Sequence, residues 1–152
     1  MTFVYQLLLF IHIASAITAV GANITYGVWN ARAAREPQHT GFMLTTIKFL
    51  DDRIANPAYG LLFLSGLAMI FIGHLSITSL WIIVAVVAFV GVAILGFAIF
   101  SPLLRNQIAL VEAGDTTSDA FKRLANRSRM LGPILGILVV IILVMMVFKP
   151  TL

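Results

Sequence analysis

The chain has 152 residues, 61% of them hydrophobic and 11% charged, with a formal net charge of +4 and no cysteine. Soluble domains carry roughly 45–50% apolar and about 25% charged residues, so an ordinary soluble domain is excluded, and the lack of cysteine excludes disulfides and thiolate metal sites. The basic residues flank apolar blocks, where membrane topology explains them better than nucleic acid does.

The first block holds no Lys, Arg, Asp or Glu from Met1 to Ala31. A secretory signal needs a positively charged region before its apolar core. Thr2 to Gln6 supply none, and apolar sequence continues past "ASA" to Val28, so a retained helix is expected. Crossing roughly 30 Å of hydrocarbon takes about 20 helical residues. Four segments meet that length, at about 3–26, 57–73, 80–100 and 131–148. Backbone amides in lipid must pair internally, so the expected fold is all-α, a single four-transmembrane-helix bundle.

The first connection carries Arg32, Arg35, Lys48 and Arg53, and the third carries Arg105, Lys122, Arg123, Arg127 and Arg129. The second carries none, and only Lys149 lies near a terminus. The positive-inside rule places both termini outside. Within the first connection, Met43, Ile47 and Leu50 have helical spacing beside Lys48 and Asp51, which predicts a short helix on the membrane surface. Ser118 is placed to cap a helix whose Phe121, Leu124, Ala125 and Leu131 share a face. Membrane lipid is the expected partner of these basic residues.

Helices in lipid associate through small and polar residues. The first span offers His12, Ser15, Ala19, Asn23, Tyr26 and Asn30 at three- and four-residue steps. The second repeats Tyr59, Gly66 and Gly73, with Met69 on the same face. The third aligns Ala88, Gly91, Ala98 and Pro102, and Pro102 is expected to bend its inner end. Gly132 and Gly136 open the fourth as a small-xxx-small contact, with Pro133 in its first turn.

His12 is the main ionisable candidate inside a span, and intramembrane ionisable groups are functional candidates by default. Haem iron accepts a neutral imidazole, so His12 is a candidate axial ligand with Met69 as the candidate opposite it. Copper(I) favours imidazole and thioether ligands, for which His12, Met69 and Met146 are available. The alternative for His12 is an interhelical hydrogen bond to a Ser, a Thr or a backbone carbonyl. Asn56 and Arg53 precede Pro57 at the span boundary, and Asn56 is placed to cap the second span.

"LLLFIHIASAITAVGANITYGVW", "DDRIANPAYGLLFLSGLAM", "SLWIIVA", "SPLLRNQIA" and "VMMVFKP" occur in that order. Together they resemble an uncharacterised family of small bacterial four-span integral membrane proteins, a domain of unknown function. That resemblance implies residence in the bacterial cytoplasmic membrane. A more distant similarity is to HemJ-type protoporphyrinogen oxidases and CopD-type membrane proteins. In the HemJ-type family a first-span His binds haem b, and His12 stands in the similar place. Three functional classes follow: a haem b-binding membrane protein, a porphyrinogen-oxidising enzyme, and a non-catalytic accessory or copper-handling protein. A homo-oligomer or a larger membrane complex is compatible with each.

Overall fold

Each apolar block becomes a helix, and each helix runs past the length needed to cross hydrocarbon. The computed structural model of the protein describes residues 2–150. α1 spans Phe3–Arg35. A 3-10 turn at Pro37–His39 leads into α2, Thr40–Leu50. A π-helical turn, Asp51–Ala55, joins α2 to α3, Asn56–Ile72. α4, Leu80–Ala93, passes through a second π-helical turn, Ile94–Phe100, into α5, Ser101–Glu112. α6 runs without a break from Asp119 to Phe148. The chain therefore forms four helices long and apolar enough to cross a membrane.

Both π-helical turns sit directly before a polar residue and a proline. Asn56 and Ser101 donate their N–H to the carbonyls of Asp51 and Gly96, five residues back, and Pro57 and Pro102 follow. Proline has no N–H and its ring clashes with the carbonyl four residues earlier. A wider turn ahead of it relieves that clash, so the helix continues where a break would otherwise fall.

The bundle is two helix pairs, α1 with α3 and α4 with α6. They meet at the end that carries most of the basic residues, called here the basic end. There α2 lies against α1 and α5, and α5 lies against α6. Tyr26, Leu44, Ile47, Ala55, Phe100 and Leu104 form the buried cluster at this end. Gln107 donates to the Ser128 hydroxyl at 2.6 Å, a buried tie between α5 and α6. Nearer the other, terminal end, α3 and α4 touch through rings: Phe89 stacks on Phe63 at 5.7 Å and meets Tyr59 edge-on. Large apolar side chains such as Phe10, Ile17, Val87 and Val140 point outward, as lipid-facing residues do.

Several expectations hold. Ser15, Ala19 and Tyr26 of the predicted stripe are buried. The Ser118 hydroxyl accepts from Phe121 N–H at 3.1 Å and caps α6. The short helix expected on the membrane surface is α2, and its Met43 and Ile47 are buried against the bundle. Lys48 pairs with Asp52, one helical turn on. Others change. Because α6 begins at Asp119, Pro133 falls inside the helix and not in its first turn. A Cβ added at Gly132 or Gly136 would meet nothing within 4 Å, so that small-residue contact is not made within the chain.

Candidate functional site

The α1–α3 seam is where polar side chains meet. Leu62 lies opposite His12 because α3 presents a repeat of Tyr59, Gly66 and Gly73 to α1. A Cβ at Gly66 would stand 2.9 Å from His12 Cε1, and one at Gly73 would stand 2.7 Å from the Tyr5 ring. Each glycine is therefore the space its partner occupies.

The proton on the His12 ring is assigned by its neighbours. Nδ1 lies 3.0 Å from the Leu62 carbonyl, which can only accept. It also lies 3.1 Å from Ser65 Oγ, whose own hydroxyl donates to the Leu61 carbonyl at 2.6 Å. Nδ1 thus carries the hydrogen and Nε2 carries the lone pair. Among the described residues Nε2 has no hydrogen-bond partner.

Further along the seam Asn23 donates to the Tyr59 phenol at 2.5 Å and to the Ala19 carbonyl at 2.8 Å. These residues open onto a cavity of about 210 Å³ between the two helix pairs. Asn23, Asp51, Asn56 and Tyr59 line its polar side, and Phe63, Phe89, Phe97 and Phe100 line the apolar side. Asp51 is 8% exposed. Burial pushes its carboxyl above the usual carboxylate range, against the pull of Lys48. The Tyr26 hydroxyl at this end is buried without a hydrogen-bond partner, its ring stacked on Phe100 at 6.1 Å.

The residues singled out from sequence are distributed unevenly. His12 and Met69 share the α1–α3 pair, with Met69 three residues beyond the glycine that touches the imidazole. Met146 belongs to α6, in the other pair. Among the described residues no three of His, Asp and Glu come together as a metal-holding group. Asn56 borders the cavity, while its side chain makes no cap bond to α3. Asp51 was not among the residues singled out, and no spacing in the sequence marks it for the cavity. The proline downstream of it is the signal that a bulge, and a turned side chain, lie nearby.

Four long apolar helices with their polar groups turned inward define an integral membrane protein. Residues 6–150 match the model of the DUF2269 family, described as a predicted integral membrane protein, and the chain belongs to that family. No curated protein and no solved structure matches it.

Proposed function

We propose that this protein binds haem b in the bacterial cytoplasmic membrane, both termini outside, with His12 as an axial ligand through Nε2. The observation that carries the reading is the hydrogen bond from Nδ1 to the Leu62 carbonyl. An imidazole whose Nδ1–H is held by a backbone carbonyl presents a fixed, neutral Nε2, and metal-ligating histidines are held in this way. Ser65 and the space left by Gly66 fix the ring's orientation. Bound haem would supply one-electron redox chemistry. The proposed orientation rests on the basic residues, all of which except Lys149 lie in the first and third connections.

A second reading has an observation of its own. Neither the cavity between the helix pairs nor the groove lined by Phe10, Arg53 and Leu61 includes His12. In that reading His12 is an interhelical tie in a non-catalytic accessory subunit, or the imidazole of a copper(I) site with Met69.

The deciding experiment is a visible spectrum of protein purified in mild detergent from haem-supplied cells, before and after dithionite, with His12→Ala alongside. A Soret band lost in the variant supports ligation. A colourless wild type overturns the haem reading, and copper(I) titration of the same protein then separates a metal site from a simple tie.

A further inference from the structure

Both π-helical turns border the cavity between the helix pairs: Asp51 comes from one, and Gly96, Phe97 and Phe100 from the other. A π-helical turn gives up regular hydrogen bonding, and such turns recur at functional sites. Here the two supply opposite kinds of wall, a carboxylate and aromatic rings.

Asp51 has no ion-pair partner among the described residues. Neither of the nearest cations in sequence pairs with it, although Lys48 is close enough to pull its carboxyl down. Lys48 is held by Asp52, and Arg53 borders an apolar groove with Phe10, Ala14 and Leu61 on a different face of the α1–α3 pair. A buried carboxylate against an apolar wall is unfavourable unless it takes up a proton or a positive charge joins it. The Tyr26 hydroxyl and the Asn56 side chain are the uncharged polar neighbours of the Asp51 carboxyl.

We infer that this cavity is a binding site for a small organic cation, an alkylammonium or quaternary amine, held between the Asp51 carboxylate and the faces of the surrounding rings. Aromatic faces attract cations through their quadrupole, most strongly where water is excluded. A hard metal ion fits poorly: calcium takes about 6–8 oxygen ligands, and only Asp51, Asn23, Asn56 and Tyr59 offer polar side chains here. The volume of about 210 Å³ limits the ligand to a small one, since drug-sized pockets run roughly 300–1,000 Å³. This inference does not depend on what His12 binds.

Isothermal titration of the purified full chain in detergent tests it. The probes are choline chloride and its uncharged carbon analogue 3,3-dimethyl-1-butanol, with sodium chloride balancing ionic strength. Saturable choline binding with no binding of the alcohol is expected. Asp51→Asn should weaken choline by tenfold or more, on the order of what removing one partner of a buried charge pair does. Phe97→Leu should weaken it about threefold, by loss of a cation–π face. Asp119→Asn makes the same change of charge at the start of α6, away from the cavity, and should leave binding unchanged. Equal binding of the alcohol, displacement of choline by calcium, an unaffected Asp51→Asn, or no choline binding at all would each overturn the proposal. Should Asp51→Asn fail to fold, the choline–alcohol comparison on the native chain and Phe97→Leu still decide it.

Discussion

The α1–α3 and α4–α6 pairs are fastened by different chemistry. Between α1 and α3 the contacts are directional: His12 to Leu62 and Ser65, and Asn23 to Tyr59. Between α4 and α6 the described residues show no side-chain hydrogen bond. Ala85, Ala88 and Val92 are buried on α4, Gly91 meets Leu138 at ordinary contact distance, and Lys149 lies over the Trp81 ring at 5.4 Å. Lipid offers no hydrophobic drive between apolar faces, so apart from the Lys149–Trp81 contact the second seam rests on shape. A hydrogen-bonded seam fixes rotation as well as distance. The pair that presents a histidine nitrogen and a carboxylate is thus the pair whose register is pinned.

That contrast can be broken where it is tightest. Gly66→Ala puts a Cβ 2.9 Å from the imidazole. It should cost about 1–3 kcal/mol, the range for overpacking, seen as a lower melting temperature in detergent. Any haem spectrum would change with it. Asn23→Ala removes the bond to Tyr59 and should cost about 1 kcal/mol, in line with interhelical hydrogen bonds in lipid. The same assay reads it.

Asp51→Asn sharpens the comparison through pH. The carboxyl titrates above its ordinary range in the folded protein, so its protonation favours folding. That contribution is complete below the ordinary carboxylate range and lost as pH rises through the folded value. The variant should therefore melt higher than wild type at neutral pH, with the gap closing as pH falls. A gap independent of pH would sink this account. Gly136→Ala on α6 should change stability by no more than about 0.5 kcal/mol, as surface substitutions do, because a Cβ there meets nothing. A large loss would mean that this face is covered in the membrane, and crosslinking from that position would read it.

The α1–α3 seam was legible because small and polar residues recur at helical steps on both strands of sequence. Tyr59, Gly66 and Gly73 meet Asn23, His12 and Tyr5 as that repeat implies. The same rule misled at Gly132 and Gly136, since spacing shows a face without showing that anything covers it. The cavity was hidden for a different reason. Counting along a regular helix puts Asp51 beside Lys48 at the membrane surface, whereas Lys48 takes Asp52 and the wider turn carries Asp51 inward. Pro57 and Pro102 advertise irregularity, but not which hydrogen bonds will yield to it.

Each π-helical turn also accommodates residues that a regular helix would space differently, and this makes the chain sensitive to its own count. An α-helix advances about 100° per residue. Between Ile94 and Phe100 one residue could be lost as the wider turn closes into a regular helix, with the register beyond it kept. One residue lost from α4 would instead swing everything beyond it by about that angle. Gln107 would leave Ser128, and Leu103 and Leu104 would exchange shelter for lipid or water. These two short stretches are where the bundle should bear the loss of a residue, and the regular helices are where it should not.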